Sequence, residues 1–153
     1  MDVSVQDEQR NDMNVSYEAA SRRLPDGHPH GAIRHSRDLV KGMLESAPGN
    51  RGRAVTGDRA HDVMLVVSEL VTNAYLHAGG AVEVWIGWQG DDLRVEVEDS
   101  SPRHPREPED SLKGEGGGFG CQLIEALTDG WGVCATRTGR TGKAVYARFS
   151  FED

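Results

Sequence analysis

The apolar residues of this chain change period near residue 80, and that change restricts the fold more than any other feature of the sequence. From Val63 to His77 they recur at helical spacing on a segment that is apolar nearly all round, with Thr56 or Asp58 placed to cap its start and Gly79-Gly80 to end it. From Val82 onward the period is two. Val82, Val84, Ile86 and Trp88 alternate with Glu83, Trp85 and Gly87, and Leu93, Val95 and Val97 alternate with Arg94, Glu96 and Glu98. Gln89-Gly90-Asp91-Asp92 makes the turn between the two runs, so an antiparallel hairpin with one buried face is expected.

The remaining segments supply a cover for that face. Ala32 to Glu45 carries Ile33, Leu39, Val40, Met43 and Leu44 at the spacing of a short amphipathic helix, stopped by Pro48 and Gly49. A proline-rich, charged loop from Ser100 to Glu115 leads into Gly116-Gly117-Gly118, after which Phe119 to Leu127 reads as a helix carrying Leu123, Ile124 and Leu127. Trp131 to Thr136 and Lys143 to Phe151 read as strands joined by the glycine-rich turn from Thr138 to Gly142, with Val145, Ala147, Phe149 and Phe151 in one phase. The order predicts an α+β fold, a two-layer sandwich with helices on one face of a mostly antiparallel sheet. Residues 1–30 are polar, charged or small without an apolar period, and are expected to form a disordered N-terminal tail ahead of a domain spanning 31–153.

Charge and composition narrow the function classes. A formal net charge of −8 argues against direct nucleic-acid binding, and Trp85, Trp88 and Trp131 are accordingly read as sheet packing rather than a base-stacking platform. The longest unbroken apolar run, Val63 to Val67, has five residues against about 18 for a membrane span, and no charged-then-apolar leader follows Met1. Cys121 and Cys134 stand in no metal or disulfide spacing. The expectation is a soluble, unexported protein in a reducing cytoplasm, with no membrane partner.

Three groups of residues carry chemistry. Glu69, Asn73 and His77 lie at i, i+4 and i+8, forming a single polar stripe on the apolar helix. Such a stripe is either a solvated edge with an internal hydrogen bond, or a half-buried carboxylate and carboxamide facing hydrated magnesium and phosphate oxygens. Asp99 continues the inward parity of Leu93, Val95 and Val97, so it either presents an acceptor to a donor such as the exocyclic amine of adenine or caps a turn with Ser100, Ser101 and Pro102. Gly118-Phe119-Gly120-Cys121-Gln122-Leu123 opens a helix, which suits either a flexible hinge or backbone N–H groups approaching an anion. It is not a Rossmann fingerprint, and no Walker lysine is present.

Taken in order, these groups resemble the nucleotide site of the Bergerat-fold (GHKL) ATPases, over nearly the whole chain from about Ala32 to Phe151. Ser68-Glu69-Leu70-Val71-Thr72-Asn73-Ala74 with His77-Ala78 resembles that family's N box, Asp99-Ser100-Ser101-Pro102 a short form of its first glycine box, and Gly117 to Leu123 its second. The branch most similar is the anti-sigma factor serine/threonine kinase-like subgroup of bacteria. The resemblance implies ATP and Mg2+ as ligands. Asn73 would coordinate the magnesium, Glu69 would be the general base, and Asp99 would read adenine with Ser101 nearby. Gly116, Gly117, Gly118, Phe119, Gly120 and Leu123 would line the phosphates and their lid, and His77 would lie near the nucleotide at the end of its helix. It further implies transfer of phosphate to a STAS-domain anti-anti-sigma protein, control of a sigma factor, and homodimerisation. Arg103, Arg106 and Lys113 fall in the lid segment, where they meet phosphate, an acidic partner or solvent. Two departures stand out: serines and Pro102 replace glycines in the first box, and Gly142-Lys143 is followed by Ala144 where the branch often has threonine, which implies reduced nucleotide affinity. A non-catalytic interaction module on the same fold is the alternative, and an autonomous ATP hydrolase a third reading.

Overall fold

The computed structural model describes residues 19–24, 29–45, 57–77, 81–99, 117–139 and 142–151. Their elements run β1 (Ala19–Arg23), α1 (Pro29–Glu45), α2 (Gly57–His77), β2 (Ala81–Gln89), β3 (Asp92–Asp99), α3 (Gly117–Leu127), β4 (Gly130–Cys134) and β5 (Lys143–Ser150). The strands form a five-stranded sheet in the order β1-β2-β3-β5-β4, and every pairing is antiparallel. The fold is α+β, an open antiparallel sheet with helices packed on it, as the change of hydrophobic period predicts.

Local chemistry accounts for most of the elements. The β2–β3 hairpin closes through Gly90 and Asp91 with Gln89 opposite Asp92, and Gly90 takes a positive φ of 65° that a side chain would resist. A positive φ at the first turn residue alone matches the twist of the flanking strands. At Gly87 an added Cβ would stand 2.7 Å from the Trp85 ring, so the strand stays bare where the indole lies across it. Helix α1 begins at Pro29 rather than Ala32, because proline at the first helical position gives up only an N–H that lacks a partner there anyway. Helix α3 begins at Gly117, two residues before the expected start, so the glycines form its first turn.

The N-terminal expectation needs correction. Residues 19–23 are not tail but an edge strand, with Ala20 opposite Ile86 and Arg22 opposite Val84, and Leu24 after it is buried. Residues 1–18 lie outside the described residues.

The core lies between one sheet face and the helices. Val84, Ile86 and Trp88 from β2, with Leu93, Val95 and Val97 from β3, meet Val63, Val66, Val67, Leu70 and Val71 of α2 and Val40 and Met43 of α1. The Trp88 indole is buried and donates to the Met43 carbonyl at 3.3 Å, which satisfies the N–H that burial removes from water.

Arg59, in the first turn of α2, fastens the far end of α3. It donates to the Leu127 carbonyl at 3.1 Å and to Asp129 Oδ2 at 2.5 Å, while its guanidinium lies 5.3 Å from the Phe149 ring centre and 5.4 Å from that of Phe151. Because Asp129 is partly solvated and its share is screened, Arg59→Ala is expected to cost about 1–2 kcal/mol. Urea unfolding should show a lower midpoint at unchanged slope.

Candidate functional site

Strand register places one of the predicted site residues, Asp99, at an end of the sheet. Asp99 at the end of β3 stands between Ala81 at the start of β2 and Lys143 at the start of β5. His77 closes α2 four residues before Ala81, so the C-terminal end of α2 lies within about 14 Å of the start of β2. The chain leaving Asp99 returns as α3.

On α2, Glu69 and Asn73 are half-buried, and among the described residues neither side chain has a hydrogen-bond or ion-pair partner. A carboxylate removed from water without a compensating donor holds its proton more tightly, and burial pushes the Glu69 carboxyl above its ordinary value of 4.5. The internal hydrogen bond that the solvated-edge reading invokes is absent between Glu69 and Asn73. His77 contributes helical backbone to the end of α2.

At the strand ends, the inward parity read for Asp99 holds, and the donor it meets is a lysine. Lys143 Nζ donates to both Asp99 carboxylate oxygens at 2.9 Å, with the two side chains 9% and 3% exposed. In the sequence Lys143 stands out only through the motif departure at Gly142-Lys143-Ala144. A signal was present nonetheless: Lys143 shares the phase of Val145, Ala147 and Phe149, so its side chain belongs on the same inward face as Asp99.

The third element is the N-terminus of α3. Gly117, Gly118, Phe119 and Gly120 contribute its first turn, Leu123 is half-buried further along, and Ser101 and Gly116 lie outside the described residues, as do Arg103, Arg106 and Lys113. Glycines in a helix cost about 1 kcal/mol each relative to alanine, a sequence choice that keeps the free N–H groups of the first turn open to close approach.

The opposite face of the sheet is occupied by its own charges. Glu96 and Glu98, read as outward-facing, are buried there: Glu96 accepts from Arg94 Nε at 2.6 Å and from Arg137 Nε at 2.8 Å, and Glu98 accepts from Thr138 Oγ1 at 2.6 Å. Arg137 lies 3.6 Å over the Trp85 ring. A groove of about 290 Å³ opens beside them, away from Asp99 and Lys143. Among the described residues no group of three or more His, Cys, Asp or Glu gathers to hold a metal, so a cation at the candidate site would depend on Asn73 and ligand oxygens. No described helix is long and apolar enough to cross a membrane.

An open antiparallel sheet under helices, with a polar stripe on α2, an inward aspartate at the end of β3 and a helix opened by glycines, is the arrangement of the Bergerat-fold class of ATPase domains. The chain belongs to the histidine kinase-like ATPase domain family, whose match covers residues 34–149. It is 34% identical over 86 residues to the serine-protein kinase RsbW of Oceanobacillus iheyensis, an alignment covering 44% of this chain and 53% of that protein. The chain therefore spans about half the length of the curated relative it matches. Its fold is similar to a chain of the SiaB–SiaC complex of Pseudomonas aeruginosa, with a TM-score of 0.53 at 16% identity over 97% of this chain and 98% of that one.

Proposed function

We propose that this chain is an ATP- and magnesium-binding regulatory domain that acts as an anti-sigma factor serine/threonine kinase, phosphorylating a STAS-domain antagonist and thereby controlling a sigma factor. The observation that carries the reading is Glu69, a half-buried carboxylate with no partner among the described residues, one helical turn before Asn73. A general base for an acceptor hydroxyl needs a carboxyl shielded from bulk water and free to accept, and both conditions hold here. Kinship with a protein named as a serine-protein kinase supports the same chemistry.

Magnesium-bound ATP would supply an electrophilic γ-phosphoryl group. Within this chain, the Asn73 side-chain oxygen would ligate the cation, and Glu69 would orient the serine or threonine hydroxyl and take its proton. Gly117, Gly118 and Gly120 would let backbone N–H groups meet the phosphates, with Gly116, Phe119 and Leu123 completing the lid. Asp99, with Ser101 after it, would accept from the adenine amine, and His77 would stand at the helix end beside the nucleotide. The phosphate placed on the antagonist adds about −2 of charge, enough to break its contact with this domain. A protein acting this way works in the cytoplasm, and homodimerisation of the domain belongs to the same reading.

The buried Lys143–Asp99 pair favours a second reading, a non-catalytic interaction module on the same fold, because the base-reading carboxylate is already engaged. Calorimetric titration with ATP, with and without magnesium, separates the kinase from a module that binds no nucleotide, and phosphotransfer to a STAS-domain protein separates it from a module that binds nucleotide without catalysis. Magnesium-dependent binding that Asn73→Ala weakens about tenfold or more is the expected result. Absence of binding at millimolar nucleotide would leave the interaction module.

A further inference from the structure

We infer that Lys143 is an internal competitor for the base-reading carboxylate, so that this one residue sets how tightly the domain takes an adenine nucleotide. The inference rests on the ATP-site reading above. Its observation is geometric: Nζ of Lys143 sits 2.9 Å from each Asp99 oxygen, in the position bridging the two, which an exocyclic amine approaching the carboxylate symmetrically would take. A carboxylate accepts additional donors elsewhere on its rim, but the position bridging both oxygens takes one nitrogen at a time.

Register makes the contact unavoidable. Asp99 and Lys143 are directly opposite on neighbouring antiparallel strands and share the inward face, so the lysine stem has no route to the far side of the sheet. Both side chains are nearly buried, and a buried charge deprived of its partner is strongly disfavoured. The resting domain therefore keeps the pair closed. An adenine amine takes the bridging position on Asp99 only by moving the ammonium aside, and its net affinity is lowered by the contact that it replaces.

The sign of the effect is diagnostic. Simple electrostatics says that removing a cation near a triphosphate weakens binding, whereas a competitor, once removed, strengthens it. In Lys143→Thr the bridging position on the carboxylate is vacated, and the adenine amine takes it. Calorimetric titration with magnesium and ATP is expected to give at least tenfold tighter binding to Lys143→Thr than to the wild-type chain. Lys143→Gln, which keeps a neutral donor on Asp99 and guards against a fold lost with the ion pair, should give a smaller gain in the same direction. Purine riboside triphosphate lacks the exocyclic amine and should show no gain with either variant.

Unchanged or weaker ATP binding to both folded variants, beside measurable wild-type binding, would overturn the role of Lys143 while leaving the ATP site standing. An equal gain for purine riboside triphosphate would overturn it too, since the effect would not pass through Asp99. If wild-type and both variants fail to bind either nucleotide at millimolar concentration, the ATP-site reading itself falls, and the competitor role with it.

Discussion

Glu69→Gln is expected to lower phosphotransfer by about 10²–10⁴-fold while leaving magnesium-dependent ATP binding intact, and at the same time to make the folded domain more stable at neutral pH. The two effects have one cause. Burial raises the Glu69 carboxyl above its ordinary value of 4.5, so the folded state binds the proton more tightly than the unfolded chain does. Below 4.5 both states are protonated and the residue is neutral towards folding; as pH rises from 4.5 through the raised folded value, the unfolded state deprotonates first and stability is lost. Glutamine carries no such penalty. Thermal unfolding of the variant should therefore exceed that of the wild type at neutral pH, with the difference closing below 4.5. Transfer, or partner-free phosphate release should the domain hydrolyse ATP alone, should show an acid limb set by the raised carboxyl. A variant that keeps its turnover removes Glu69 from the chemistry; one that unfolds more easily at neutral pH contradicts its half-buried, partnerless environment.

The second large effect is on stability. Asp99→Asn leaves the Lys143 ammonium facing a neutral amide in a site where the pair is 9% and 3% exposed, and breaking a buried pair from one side costs about 3–5 kcal/mol. Domains of this size are stable by about 5–15 kcal/mol in total, so the variant should be visibly weakened in urea and rescued by a second change. Asp99→Asn combined with Lys143→Met removes both charges, and the double variant should recover most of the loss, giving a coupling energy well above the few tenths expected of independent sites. A single-variant cost below about 1 kcal/mol would mean that the pair is hydrated rather than buried.

The site was legible in the sequence to different depths. Glu69 and Asn73 were found because helical spacing alone puts residues four apart on one face, and the apolar surroundings made two polar groups conspicuous. The inward turn of Asp99 was found because strand parity continues to the last residue of β3. What Asp99 touches was not found: Lys143 lies 44 residues further on, and only the β3–β5 register makes them neighbours. The same holds for Glu96, which parity turns away from the helices but which Arg137, 41 residues on, buries from the other side.

Within elements, then, the sequence by itself determined helix, hairpin and the face each would bury, because burial of apolar side chains imposes a period that neighbouring residues reveal together. The edge strand β1 left no such trace, since Ala19-Ala20-Ser21-Arg22-Arg23 buries almost nothing and is a strand through its backbone pairing to β2. Pairings between distant segments were decided by the tertiary structure alone, because a hydrogen bond or ion pair selects its partner by position in space. The strand order β1-β2-β3-β5-β4 fixes those positions, and with them the lysine that stands on the aspartate of the candidate site.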